Sequence, residues 1–272
     1  MFTIKNFANF NDRCTDGSEN IAIMARMGQF SIIEHEQDKS VCYHTAVGEY
    51  YASKMGVRRR QLFCDLSKGP VMMQSGAMQW MLGAVNMDSG VKGVGDLVGK
   101  MFAGKATSES AVKPRYVGSG LVACEPTYKH LILTRVEDWA GGLVLDDGLF
   151  MACDGNLGLN LKARSNVSSA VAGGKGLFNL MLRGSGVAAL ECAYPVDELV
   201  EIELQDDVLK VDGPFVVAWS GSLEFEVGRA GKSLVGSAAS GEGLVNIYRG
   251  TGRVWMMPVS ARASGSVLDA CD

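Results

Sequence analysis

The chain has 272 residues, of which 47% are hydrophobic and 21% charged, and its formal net charge at pH 7 is −4. Its apolar content is too high for a disordered chain, and its slight negative charge argues against a protein that wraps nucleic-acid phosphates. No apolar run approaches the roughly 20 residues of a membrane-spanning helix, so no transmembrane segment is expected. The 34 glycines lack the three-residue period of collagen, so another cause must account for them.

The first 60 residues are interpreted as an N-terminal extension that packs on a β core. They predict a strand pair, at Ile21–Met27 and at residues 30–36, followed by a helix over residues 46–55. The helix is indicated by the spacing of Val47, Tyr50, Tyr51 and Met55.

The first twenty residues and the cysteines indicate a cytoplasmic protein. Those residues contain no long apolar segment of the kind found in a secretory signal, and Asp12, Asp16 and Glu19 are unlike a mitochondrial presequence. The seven cysteines are an odd number, widely spread and without a CxxC pair, which is typical of reduced thiols.

A glycine triplet recurs three times along the chain. The three copies are Gly118-Ser119-Gly120, Gly184-Ser185-Gly186 and Gly250-Thr251-Gly252. Successive copies are 66 residues apart, since 184 − 118 and 250 − 184 both equal 66. A shared interval with shared flanking residue types indicates an internal repeat.

A second marker precedes each triplet. The pairs are Ser75-Gly76, Asp154-Gly155 and Ser220-Gly221. Their glycines are separated by 79 and then 66 residues, so the first copy is expected to carry about 79 − 66 = 13 extra residues, placed in an insertion at 90–110. Asp-Gly and Ser-Gly between apolar runs favour tight hairpins, and the triplets are interpreted as a second hairpin of each copy.

Alternation of apolar and polar residues after these pairs indicates strands. Leu157, Leu159 and Leu161 alternate with polar or small residues, as do Leu223 and Phe225 in the next copy. The links at 164–174 and 229–241 are rich in small residues, and the first could hold a short helix at 167–172. The predicted fold class is therefore all-β, with repeats at about 61–126, 127–193 and 194–258 and a mobile tail at 259–272.

Several of these segments, in this order, resemble the altered-inheritance-of-mitochondria family of mitochondrial biogenesis proteins. They are CDLSKGP at 64–70, GAMQW at 76–80, DGLFMA at 147–152, GEGLV at 241–245 and GTGRVW at 250–255. The resemblance covers roughly residues 60–258. It implies three tandem β units with a fold similar to the Trp RNA-binding attenuation protein, packed with pseudo-threefold symmetry. It implies no established reaction and no catalytic residues.

Two glycine-rich segments suggest phosphate binding but fit it poorly. The stretch at 90–100 has Val94 where a Walker loop needs glycine and Met101 where it needs a hydroxyl. Gly231-Lys232-Ser233 has the hydroxyl, but Glu226 stands at the position of the first glycine. Flexible loops are the favoured interpretation.

Metal and thiol chemistry have little support in the sequence. Only three histidines occur, and the closest Cys-His pairs are Cys42 with His44 and Cys124 with His130. A Cys-x-His pair lacks the further ligands that zinc requires, and proximity in sequence supplies neither a catalytic base nor its orienting group. The cysteines are therefore expected to be structural.

The charged clusters of the sequence are interpreted as structural rather than as binding or catalytic sites. The basic cluster Arg58-Arg59-Arg60 is single, whereas RNA binding by a repeated fold favours basic and aromatic residues in every copy. The acidic pairs Asp146-Asp147 and Asp206-Asp207 lie in turn-like contexts rather than in a recognisable cleft.

The sequence thus predicts a non-catalytic β scaffold or binding protein that acts through protein contacts and forms a homo-oligomer. No catalytic, cofactor-binding or metal residues are assigned, no cofactor is expected, and nucleic acid is not expected as a partner. Two alternatives stay open. One is RNA binding by analogy of fold, and the other is an enzyme with a cysteine nucleophile.

Overall fold

Alternating apolar and polar residues build the chain almost entirely from β-strands, seen in a computed structural model that describes residues 4, 20–88, 113–163, 178–229 and 244–259. The first eight strands are β1 (Ile21–Met27), β2 (Phe30–His35), β3 (Arg60–Asp65), β4 (Val71–Met73), β5 (Met78–Asp88), β6 (Arg115–Cys124), β7 (His130–Arg135) and β8 (Leu143–Leu145). The remaining strands are β9 (Phe150–Asp154), β10 (Gly158–Ala163), β11 (Phe178–Arg183), β12 (Val187–Cys192), β13 (Val200–Asp212), β14 (Val216–Ser220), β15 (Glu224–Arg229) and β16 (Leu244–Met256). One α-helix, α1 (Ala46–Lys54), and two 3₁₀ turns (Leu66–Lys68 and Val136–Asp138) complete the described elements.

The all-β prediction is confirmed, and so are the N-terminal strand pair and the helix. β1 and β2 pair antiparallel, and β2 continues the sheet by pairing with β3. The predicted insertion at 90–110, the helix at 167–172 and the glycine-lysine motifs at 90–100 and 231–233 lie outside the described residues. So do the links and the tail, apart from their end residues Arg229 and Val259.

The described strands form two antiparallel sheets. The first has nine strands in the order β1-β2-β3-β6-β4-β9-β12-β7, with β5 on β6, and contact between β1 and β7 curls it into a nearly closed barrel. The second has seven strands in the order β10-β11-β8-β14-β16-β13, with β15 on β16, and forms a half-barrel. The pseudo-threefold packing and the likeness to the Trp RNA-binding attenuation protein stay predictions.

Four apolar clusters stabilise the two sheets, and the smallest of them, around Ile33 and Phe63, lies within the first sheet. Of the others, one lies within the first sheet and includes Phe30, Leu62 and Met73, and another lies within the second around Trp219 and Tyr248. The third contains residues of both sheets, such as Leu143, Leu190 and Trp255, and so packs the sheets against each other. Burial of apolar surface at these places is the main favourable term in folding.

The glycine triplets do not form hairpins, which corrects the sequence interpretation. Gly118 and Gly120 lie inside β6, opposite β5, and a Cβ on Gly120 would stand 2.0 Å from the Leu82 carbonyl oxygen. The third triplet likewise lies inside β16. At Gly118 and Gly120 glycine is required because the neighbouring β5 backbone approaches closely, not because the chain reverses.

The Ser-Gly and Asp-Gly pairs form turns, but the strands they join do not pair with each other. β4 and β5 flank Gly76 and both pair with β6, and β14 and β15 flank Gly221 and both pair with β16. The shared partner in each case is the strand that carries the triplet. In these two copies the triplet therefore lies within a long strand, whereas in the middle copy residues 184–186 join β11 and β12, which pair with β10 and β9 respectively.

In the first copy, the strand register indicates a different turn residue from the one that the sequence spacing indicates. Two residues after each triplet, a residue pairs with an earlier strand, and the pairs are Val122 with Cys64 of β3, Ala188 with Cys153 of β9 and Val254 with Trp219 of β14. By this register Asp65, rather than Ser75, corresponds to Asp154 and Ser220. The extra residues of the first copy then number (120 − 65) − (186 − 154) = 23 and begin before β4.

Between the described strands the chain crosses from one sheet to the other five times, and two of these crossings meet at Asp154, a place that we call the seam. The chain passes from β9 to β10 at Asp154-Gly155 and from β11 to β12 at residues 184–186. The Asp154 carboxylate accepts hydrogen bonds from the Val187 amide (2.7 Å) and from Gln29 Nε2 (2.6 Å). One side chain thus fixes both crossings and the turn between β1 and β2.

Candidate functional site

A groove of about 460 Å³ lies between α1 and the segments that flank β2 and β3. The chain leaves β2 at His35, crosses to α1, and returns through Val57 to enter β3 at Arg60. Its lining combines helix residues such as Tyr50 with charged residues of the flanking segments, among them Asp38, Arg58 and Arg59.

The arginine triplet forms ion pairs beside this groove. Arg58 contacts Glu36 at 2.6 Å and Glu34 at 3.2 Å, and Arg59 pairs with Asp38. Each of these guanidinium groups already has a carboxylate partner. The triplet therefore serves to attach the segments around α1 to the barrel.

The third arginine makes a buried pair. Arg60 Nη2 lies 2.7 Å from Glu34 Oε2, both residues are buried, and the same nitrogen donates to the Gly56 carbonyl at 3.0 Å. Removal of one partner from a buried pair of this kind strongly destabilises a protein, because the other charge is left without compensation. The pair anchors the end of the α1 segment to β2.

Two histidines lie near these charges. Burial lowers the pKa of His35, and the nearby Arg59 lowers it further. Burial and Arg60 lower the pKa of His130, partly opposed by Glu34. Both imidazoles are therefore mainly neutral at pH 7, as expected of residues beside guanidinium groups.

The outer side of α1 has the opposite character. No residue of this helix is buried, and its surface displays aromatic and aliphatic side chains. We call this set the tyrosine surface: Tyr43, Val47, Tyr50, Tyr51 and Met55, of which Tyr50 also lines the groove. Tyr43 is 90% exposed and Met55 82% exposed. The rings of Tyr50 and Tyr51 meet edge to face at 5.5 Å, which orders them relative to each other.

The described cysteines divide into four buried residues and one exposed residue. Cys64, Cys124, Cys153 and Cys192 are buried and free, and burial raises the pKa of Cys64, Cys153 and Cys192. Such thiols are poor nucleophiles because the reactive form is the thiolate.

Cys42 is exposed, and a hydrogen bond with the Thr45 hydroxyl, together with backbone amides, lowers its pKa. Its neighbour His44 stacks edge to face on Tyr43 at 5.6 Å. The second predicted pair is separated by the fold, since Cys124 ends β6 whereas His130 pairs with Cys192 at the start of β7. Neither pair forms a base-activated thiol with an orienting group.

The acidic pairs lie where the sequence indicates irregular backbone. Asp146 begins the turn between β8 and β9, where its carbonyl accepts from the Leu149 amide at 3.4 Å. Asp206 has a φ of 53° at a bulge in β13, and its amide donates to Thr251 Oγ1 at 3.0 Å. Among the residues that the structure describes, no three His, Cys, Asp or Glu residues come together as a metal site.

Sequence reasoning missed the buried Glu34–Arg60 pair, the Asp154 contacts and the exposure of α1. The first two join residues distant along the chain, so no local pattern reveals them. The third is not revealed by the helical spacing of the apolar residues, because one side of a helix can face solvent as well as a core. No described helix has the length and apolar character needed to span a membrane.

Comparison with known proteins places the chain in a family. Residues 53–259 match the model described as mitochondrial biogenesis AIM24. An uncharacterised protein of Streptococcus pyogenes is 26% identical over 207 residues, covering 74% of this chain and 81% of that protein. A crystal structure of a Streptococcus pyogenes protein covers 79% of this chain and 94% of that one with a TM-score of 0.56 and 23% identity, which is a likeness of fold. The family match spans most of the chain, which therefore belongs to the mitochondrial biogenesis AIM24 family.

Proposed function

We propose that this protein is a non-catalytic β scaffold that binds another protein through the tyrosine surface. The observation that carries the proposal is that α1 has no buried residue, yet exposes tyrosine, valine and methionine side chains. Contiguous exposed apolar groups commonly mark interaction sites, and tyrosines are frequent energetic centres of protein interfaces.

The attachment of α1 supports this role. The pairs of Arg58 with Glu36 and of Arg60 with Glu34 tie both ends of the α1 segment to the barrel. A helix held in this way can present its side chains at a lower entropic cost than a free segment. The cation of Lys54, 5.3 Å from the Tyr50 ring centre, adds a charged rim.

The proposal includes further expectations about chemistry and location. The buried free thiols support a reducing compartment, the cytoplasm, and are themselves poor nucleophiles. The ion-paired arginine triplet argues against RNA as the partner. We also propose that the protein associates with itself.

The test compares proteins captured by the wild type and by Tyr51→Ser/Met55→Ser. Tyr51 lies on α1 and Met55 directly follows the helix, and both are exposed, so their replacement removes apolar contact area without disturbing the barrel. A stoichiometric protein partner is expected with the wild type and is expected to be lost from the double variant. The control is Val196→Ser, an exposed apolar residue elsewhere, which must retain the partner.

Two outcomes would overturn the proposal. One is capture of the same proteins by the wild type and the double variant. The other is clear thermal stabilisation of the protein by a metal ion, nucleotide or common metabolite, since a scaffold of this kind binds none of them. A complex with RNA in a gel-shift assay at low salt would favour the alternative drawn from fold.

A further inference from the structure

One long strand of the first sheet has an edge that no other named strand covers. β5 pairs along its length with β6, and no second partner is found among the described strands. Ile4 and Trp80 pack against the same apolar cluster, and no described strand pairs with the outer edge of β5 along the open stretch at 80–88. Such an edge presents backbone amides and carbonyls to any strand that approaches it.

The edge strand of the second sheet shows how this protein protects an edge. β13 is 13 residues long and has charges along its length, at Glu201, Glu203, Asp206, Asp207, Lys210 and Asp212. It also has a bulge at Asp206, where φ is 53°. Charges and bulges are the usual means of preventing edge-to-edge pairing.

β5 lacks these protections over its open stretch. Its sequence, MQWMLGAVNMD, contains a single charged residue, Asp88, at the end of the strand, and no proline. The register irregularity of β5 lies between Met78 and Trp80, before the open stretch. The remaining edge can therefore pair without burying an unpaired charge.

The side chains of β5 supply apolar surface at the same place. Met81 is 46% exposed and Met87 is 51% exposed, and the alternation of a strand puts both on one face, together with Val85. Methionine is flexible and polarisable, which suits it to an interface formed from irregular surfaces.

We propose that β5 pairs antiparallel with β5 of a second copy, about a twofold axis at Ala84. Residues equally distant from Ala84 then lie opposite each other, so Met81 faces Met87 of the second copy. The same register puts Asp88 opposite Trp80 of the second copy, so the two aspartates are kept apart. The two barrels are thereby joined through one continuous sheet.

This inference rests on the proposed self-association and names the surface that produces it. The first experiment measures solution mass by light scattering at high protein concentration. The wild type is expected at twice the chain mass of 29.0 kDa, 2 × 29.0 = 58.0 kDa, and Ala84→Lys at 29.0 kDa. A lysine on the edge introduces a charge at the axis, where it would meet its own copy. Val208→Lys on β13 is the matched control and must stay dimeric.

A second measurement keeps the test independent of folding. In a Cys14→Ser/Cys42→Ser/Cys271→Ser background, Ala84→Cys is expected to give a disulfide-linked dimer under mild oxidation, because a residue on a twofold axis meets itself. Val208→Cys in the same background is expected to give none. Thermal melting must show that both variants fold.

The outcomes separate the two claims. A wild type of 29.0 kDa at every concentration would overturn self-association itself. A dimer that persists in Ala84→Lys and fails to cross-link through Ala84→Cys would overturn the assignment of β5 while self-association stands. Neither outcome bears on the tyrosine surface.

Discussion

The two sides of the segment from Glu34 to Arg60 contrast sharply. On the inner side charged residues are buried and paired, as Glu34 is with Arg60, and on the outer side the aromatic residues of α1 face solvent. This arrangement reverses the common one, in which charges are exposed and apolar groups are buried. It teaches that the conspicuous charges of this protein hold its structure, whereas its exposed tyrosines are available for contact.

The largest expected loss of stability comes from breaking the buried ion pair on the inner side. Glu34→Ala leaves the Arg60 guanidinium buried without a carboxylate, so the free energy of unfolding should fall by about 3–5 kcal/mol. Urea denaturation measures this decrease in the free energy of unfolding. The control is Glu226→Ala, whose pair with Arg249 at 3.3 Å is exposed and should cost no more than about 1 kcal/mol. Equal losses in both variants would contradict a special role for the buried pair.

Smaller changes in stability are expected from two glycine substitutions, one in the β core and one in α1. Gly120→Ala forces a Cβ against the Leu82 carbonyl and should destabilise the protein by about 1–3 kcal/mol. Gly48→Ala meets nothing within 4 Å and should stabilise α1 by up to about 1 kcal/mol. Melting temperatures of the two variants should therefore move in opposite directions. A Gly120→Ala protein as stable as the wild type would refute close strand approach as the reason for the triplet.

The histidines beside the ion pairs give a modest pH dependence. The pKa of His35 and that of His130 are lowered in the folded protein, so the unfolded chain binds protons more readily near and below pH 6.5. The resulting stability is present above the unfolded pKa and is lost as the pH falls through the folded value. Denaturation between pH 7.5 and about pH 5 should show this loss, and His35→Gln/His130→Gln should lose less. An identical pH profile in the variant would exclude these histidines as the cause.

The smallest expected effect concerns the outer side. Tyr51→Ser/Met55→Ser should change the free energy of unfolding by no more than about 0.5 kcal/mol, because neither side chain is buried. Chemical denaturation checks this value alongside the binding test. A large loss of stability would mean that the tyrosine surface belongs to the core, and the contrast between the two sides would disappear.

The sequence predicts the strands and α1 well because alternation and helical spacing are local properties. It misassigns the triplets for a physical reason, since glycine serves both a turn and a close strand approach by the same lack of a Cβ, as Gly76 and Gly120 illustrate. The partners Glu34 and Arg60 are 26 positions apart, and nothing local connects them. The helical spacing in α1 does not reveal that none of its residues is buried.

The seam at Asp154 has a consequence for how the protein unfolds. Because β9 continues into β10 and β11 into β12, each sheet contains strands whose chain neighbours belong to the other. Neither sheet can detach as a module, and no single cut in the chain would yield two independent halves. We expect one cooperative thermal transition for both sheets, with the hydrogen bonds of Asp154 to Val187 and Gln29 among the last to open.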